Sequence, residues 1–243
     1  SDRLPGSTGT LVAVSPDGRT LLYRALQNSV FRLYVRPLGQ FQATAIGDPD
    51  AGESPAFSPD GQWVAFQVGN VIRKVPVAGG PSQTVGEAPA GARGMSWEAD
   101  GTILVGLGTK GLGTLAAAGG TLTTLVAPSD NRLYWYPQML PGGRAVLYTA
   151  TEPRPDAGEI QVLTLGTGER RTLLPGAAGR FLPSGHLVFV RGASLWAVPF
   201  DPERLEVRGT PVPVVEGIRV EPGGAVQASV GNDGTLVYLP GGA

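Results

Sequence analysis

Cysteine is absent from the 243 residues, and histidine occurs once. The first absence excludes a disulfide framework, a thiol nucleophile and thiolate-held metals. The second leaves His186 as the sole imidazole base for any Ser-His type chemistry. Charge is sparse at 16% of residues, with 19 basic against 20 acidic side chains and a net charge of -1. That balance argues against a nucleic-acid partner bound by phosphate neutralisation. Apolar runs stay short of the ~18 residues that would suggest a membrane span, so no membrane insertion by this chain is expected. No amino-terminal signal pattern is present either. Apolar residues nowhere keep a 3.6-residue period, which speaks against helices.

The excess is in glycine (37) and proline (22), about a quarter of the chain and close to the level that signals disorder. These residues, however, recur at a fixed interval. Ser15-Pro16-Asp17-Gly18 returns as Ser58-Pro59-Asp60-Gly61 and, more loosely, as Glu98-Ala99-Asp100-Gly101, Leu140-Pro141-Gly142-Gly143, Leu182-Pro183-Ser184-Gly185 and Gly231-Asn232-Asp233-Gly234. The final glycines are 43, 40, 42, 42 and 49 residues apart. A period of this size, punctuated by turns, is that of four-stranded propeller blades.

The flanks agree. Four positions before each glycine stand Val14, Phe57, Trp97, Met139, Phe181 and Val230, all apolar, while the residues just before them are mostly small or polar. Such alternation belongs to a strand with one buried face, and Asp-Gly or Gly-Gly supplies the positive φ of a tight hairpin. Second strands follow, for example Trp63 to Phe66 and Leu187 to Val190, then third strands at Phe31 to Val35, Val71 to Val75, Leu112 to Ala116, Ile160 to Leu165 and Leu195 to Val198. Polar fourth strands, such as Thr121 to Val126 and Arg170 to Leu174, suit a wet outer edge. The expected architecture is an all-β propeller of six units with four-stranded antiparallel blades, at about 1–47, 48–88, 89–128, 129–175, 176–217 and 218–243. The sixth unit is incomplete: five residues follow Tyr238, and residues 1–9 are expected to lend it one strand. An edge left open there invites self-association.

The Ser-Pro-Asp-Gly turns followed by an apolar strand resemble the WD40-like (PD40) repeats of TolB-type β-propellers. Phe57 to Phe66, Val75 to Gly80, Arg93 to Trp97, Pro137 to Leu147, Pro183 to Gly217 and Asp233 to Tyr238 are similar to the propeller region of bacterial eukaryotic-like serine/threonine kinases. The resemblance implies a sensory or protein-binding module of a larger bacterial protein, on the extracytoplasmic side. The alternatives it implies are a substrate-gating propeller of a prolyl-oligopeptidase-like peptidase and a TolB-like periplasmic interaction protein. It implies no cofactor.

Catalytic chemistry finds little support in the residues, and the chain is expected not to be an enzyme. His186 opens an apolar strand, and no Gly-x-Ser-x-Gly elbow exists. Asp17, Asp60, Asp100 and Asp233 occupy equivalent turns in different blades, too scattered to act as a pair across a sugar. Asp48, Asp50 and Glu53 have spacing that suits a hard cation, yet lack the further ligands of a closed calcium loop. The inter-blade loops carry more promise. Glu53, Arg93, Arg132 with Tyr134 and Trp135, Arg180, and Arg219 with Glu221 fall in or beside successive loops. Four arginines around one mouth would make a positive funnel for a peptide or protein partner, since guanidinium forks take carboxylates bidentately. Local pairing with nearby glutamates is the competing role.

Overall fold

The computed structural model describes residues 9–48, 52–89, 91–128, 131–152 and 158–241. Five complete antiparallel blades and a partial sixth are arranged around a central channel. The blades comprise β1 (Val12–Val14), β2 (Thr20–Gln27), β3 (Val30–Pro37) and β4 (Thr44–Ile46); β5 (Glu53–Phe57), β6 (Trp63–Val68), β7 (Val71–Pro76) and β8 (Gln83–Glu87); β9 (Met95–Trp97), β10 (Thr102–Gly106), β11 (Leu112–Ala116) and β12 (Thr123–Val126). The fourth holds β13 (Leu133–Met139), β14 (Ala145–Thr151), β15 (Gly158–Thr164) and β16 (Arg170–Pro175). The fifth holds β17 (Ala177–Leu182), β18 (His186–Arg191), β19 (Ser194–Asp201) and β21 (Val212–Glu216), with β20 (Glu206–Val207) pairing the far end of β19. Among the described residues, β22 (Ala228–Val230) and β23 (Leu236–Tyr238) form the sheet of the sixth.

The expectation of six units therefore holds as five blades and a partial sixth. Residues 1–8, expected to help complete it, lie outside the described residues. The connection that leads into the sixth blade covers one end of it instead: Arg219 N–H donates to Leu239 O at 2.9 Å, and Gly241 N–H to Gly217 O at 2.7 Å.

Each repeated turn is built as its residues dictate. Ser15 Oγ donates to Asp17 Oδ1 at 2.5 Å and accepts Thr20 N–H at 2.9 Å, while Gly18 takes φ +70°. Ser58, Asp60 and Gly61 repeat the arrangement, with Trp63 N–H donating to Ser58 Oγ at 2.9 Å. The hairpin thus aims its second strand across the first, and apolar side chains from adjoining blades interleave. Phe57, Val64 and Phe66 pack with Leu22, Leu33 and Val35, and Leu147, Ile160 and Val162 with Leu187, Phe189 and Val198. Burial of these side chains contributes on the order of 1.5–3 kcal/mol each.

Two features join the blades into a ring. Side-chain amides and hydroxyls cross the seams. Gln67 Nε2 donates to Pro89 O at 2.8 Å, Gln138 brackets Phe181 through its N–H (2.7 Å) and O (3.1 Å), and Ala178 N–H donates to Thr149 Oγ1 at 3.0 Å. Gln227, with no exposed surface, closes the ring by accepting Leu11 N–H at 2.8 Å and donating to Gly9 O at 3.0 Å. The second feature is a bulge in the inner strands. Ser54 (φ 55°), Gly94 (75°), Tyr136 (52°) and Ala178 (52°) each sit seven residues before their turn glycine, and β5, β13 and β17 shift register around them. A left-handed residue in an inner strand re-aims its neighbours, and a bulky residue there is a genuine outlier that the surrounding packing must hold. All four of these residues line the channel.

Candidate functional site

The channel has three compartments. At the face of the inter-blade loops lies a cleft of about 440 Å³ among the third to sixth blades. A waist of about 120 Å³ follows, walled by all six inner strands. Beyond it, at the face of the Ser-Pro-Asp-Gly turns, is a chamber of about 310 Å³. Tyr136 borders both cleft and waist, and Arg180 borders both waist and chamber.

The cleft is laid on an apolar base of Trp135, Val190, Val220 and Val226, with Thr149 and Thr151 on its wall. Its described lining includes two guanidiniums, those of Arg93 and Arg191, and no carboxylate. Arg93 is 9% exposed; its guanidinium lies 4.9 Å from the Trp135 ring, and Nη1 donates to Gly223 O at 2.5 Å. Arg191 is anchored by two bonds to Pro175 O (3.2 and 3.1 Å) and lies over Phe189 and Trp196. Trp135 Nε1 is buried without a hydrogen-bond partner among the described residues. Gly108 makes room for that indole: a Cβ there would stand 2.7 Å from the ring. Tyr136 accepts Val226 N–H at 3.0 Å, and burial pushes its phenol pKa up. It is therefore a neutral side chain joining the fourth blade to the sixth.

The structure does not gather the four loop arginines at one mouth. Only Arg93, with Trp135, lines the cleft. Arg132 is held by Glu159 at 2.8 Å and Glu152 at 3.6 Å, and its guanidinium draws the Glu159 carboxyl below the usual range. Tyr134 is a core residue, 1% exposed, edge-on to Tyr148 and accepting from Arg170 at 3.0 Å. Glu53 pairs with Arg24 at 3.2 Å across the first seam, and Arg219 with Glu221 at 2.9 Å. Arg180 lies at the opposite end, between waist and chamber. Residues the sequence did not single out complete the cleft: Arg191, Thr149, Thr151, Tyr136 and the Gly223-Gly224 turn.

The other candidates have local roles. Each repeated aspartate bonds its own hairpin, as Asp100 Oδ1 accepts Thr102 N–H at 2.9 Å and Asp233 Oδ1 accepts Thr235 N–H at 3.0 Å. His186 Nδ1 stays within 3.2 Å of Ser184 of the same turn. Asp48 faces Arg73 at 3.5 Å, and Asp50 lies outside the described residues. Among the described residues no cluster of three metal-ligating side chains occurs.

No family model and no curated protein matches the chain. Solved structures do. TolB from Acinetobacter baumannii is similar at TM-score 0.62 and 15% identity, covering 89% of this chain and 55% of that one. A putative TolB from Agrobacterium tumefaciens gives 0.61 and 16%, covering 95% and 90%. An oligogalacturonate lyase in complex with manganese gives 0.60 and 12%, covering 98% and 73%. At these identities the likeness shows a propeller fold of the kind TolB has. The expectation that the chain is not an enzyme is corrected here. An enzyme stands among the neighbours at comparable similarity, so neither the fold nor a single histidine excludes catalysis.

Proposed function

We propose that this propeller recognises a carboxylate-bearing peptide or protein segment, taken into the cleft at its inter-blade-loop face. The observation that carries the reading is the cleft's polarity. Two anchored guanidiniums and an unpartnered buried indole N–H sit over an apolar base, with no carboxylate in the described lining. A volume of about 440 Å³ falls in the range of ligand sites, and an aromatic beside arginines is the composition of binding hot spots. Anchoring matters as well. Arg191 is already fixed by Pro175 O and by ring contacts, so binding costs it little conformational entropy. A TolB-like interaction protein and the sensory propeller of a kinase both fit this reading, because either presents such a face to a partner.

A peptide array of acidic and free-carboxylate sequences, each with its amidated or Gln-substituted counterpart, tests it. A charge-assisted hydrogen bond contributes about 1.5–3 kcal/mol, so Arg191→Gln should weaken the best ligand roughly tenfold or more. Trp135→Phe, which keeps an aromatic face for Arg93 but removes the N–H with its five-membered ring, should weaken it less. Indifference to charge in the ligand, or full affinity in Arg191→Gln, refutes the reading.

A further inference from the structure

We propose that the chamber at the turn face is a second, separate site, which binds a small monocarboxylate through Arg180. Its key feature is a cation without an ion pair. The Arg180 guanidinium sits in the channel wall; Nε is shielded from solvent with no partner, and Nη2 donates to Asn232 Oδ1 at 3.1 Å. Glu98 is the near carboxylate, but its Oε1 is engaged by the Ser96 hydroxyl and by Met139 N–H at 3.3 Å. Among the described residues it makes no salt bridge to Arg180. Desolvating a charge without a paired counter-ion is expensive, and the neutral amide of Asn232, reached across the seam to the sixth blade, does not neutralise it. Burial accordingly lowers the guanidinium's pKa, and Glu98 acts only to raise it.

The surroundings select the ligand. Glu98 leaves the chamber with one positive and one negative side chain near each other, a field that tolerates a single added negative charge better than a phosphate dianion. Ser229 accepts Val14 N–H at 3.2 Å, and Asn232 accepts from Arg180, so a hydroxyl proton and an amide N–H₂ remain as donors at the rim. A carboxylate has the planar acceptor pair that a guanidinium fork meets. The volume of about 310 Å³ admits a short acid with a few waters, and Met95, Trp97 and Val230 offer its tail an apolar wall.

The test is isothermal titration of the whole chain with sodium butyrate, balanced with chloride, against the same titration with inorganic phosphate. Saturable binding of butyrate is expected, weakened at least tenfold in Arg180→Gln, which should melt no lower than the parent. Trp135→Phe, in the peptide cleft, should bind butyrate as the parent does, so this site and the cleft fail independently. The proposal is overturned if no saturation occurs by about 10 mM butyrate, or if phosphate binds more tightly. Equal affinity in Arg180→Gln, or loss of butyrate in Trp135→Phe, overturns it too.

Discussion

Replacing Gln227 with leucine should weaken the ring at the seam between its sixth and first blades. At the seam between the fourth and fifth blades, Gln138 likewise makes a pair of hydrogen bonds to backbone, but the chain itself runs from β16 into β17 there. Between the sixth blade and the first, no described stretch of chain crosses in this way. The seam rests on side-chain packing, on Gln227, and on bonds such as Thr10 Oγ1 to Val226 O (3.1 Å) and Asn232 N–H to Pro16 O (3.0 Å). Gln227→Leu roughly keeps the volume, removes the acceptor that Leu11 N–H has at 2.8 Å, and removes one donor to Gly9 O at 3.0 Å. A buried backbone group left unmet costs about 1–3 kcal/mol, and the added apolar burial offsets part of it. With the lost Gly9 bond added and the offset taken away, the net is about 1–3 kcal/mol, a sizeable share of the 5–15 kcal/mol typical of folded domains. In a chain of this size that corresponds to a fall in Tm of roughly 2–12 °C. Calorimetry measures the fall, and amide exchange locates it. Leu11 and the strands β1 and β22 should lose protection ahead of β14 and β18. Gln138→Leu should cost a similar amount without that local opening. A Gln227→Leu protein melting within about 1 °C of the parent, with Leu11 still protected, would refute the closing role.

Two further outcomes follow from the turns and the close approaches. Serine hydroxyls first, then backbone N–H groups, pull Asp17 and Asp60 below the usual carboxyl range, and for Asp233 the Thr235 N–H leads. Their folded pKa values lie below the unfolded value near 3.9, so the stabilisation is complete above about pH 4 and is lost as pH falls through the folded values. Acid denaturation curves of the Asp17→Asn/Asp60→Asn/Asp233→Asn protein should be flatter below about pH 4 than those of the parent, and identical slopes would count against the linkage. Gly111→Ala should abolish soluble folded protein, since its Cβ would stand 1.9 Å from Val126 O at a φ of +87°. Normal yield and an unchanged circular dichroism melt would contradict that geometry.

Local chemistry made much of the fold legible. The Ser-Pro-Asp-Gly signals and alternating strands are set by neighbours within ten residues, so β11 falls at Leu112–Ala116 as its apolar pattern indicates. The inner-strand bulges were not legible, because glycine marks one of the four left-handed positions while serine, tyrosine and alanine fill the others. These conformations are imposed by the ring. Gly94 shows how: a Cβ on it would lie 2.6 Å from the Cα of Tyr136, so successive bulges are fitted to each other across the seam. The stitching glutamines were hidden for a related reason. A lone polar residue in a strand reads as exposed until the facing backbone is known.

The arginines show where sequence reasoning about the site ran out. Loop position places Arg93, Arg132 and Arg219 near one face, but partners decide what each can do, and those lie on other elements. Arg132 meets Glu159 on β15 and Glu152 just past β14, and the cleft's second cation is Arg191, at the end of β18. Arg180 is the converse case. The bulge at Ala178 shifts the register of β17 just before it, and Arg180 then borders the waist and the chamber while Arg93 borders the cleft. Arg93 stands eight residues before its turn glycine, on the loop side of the left-handed position, whereas Arg180 stands five before its own, on the turn side. Three positions along an inner strand thus decide which end of the channel an arginine borders, and the left-handed residue between them is marked by no single residue type.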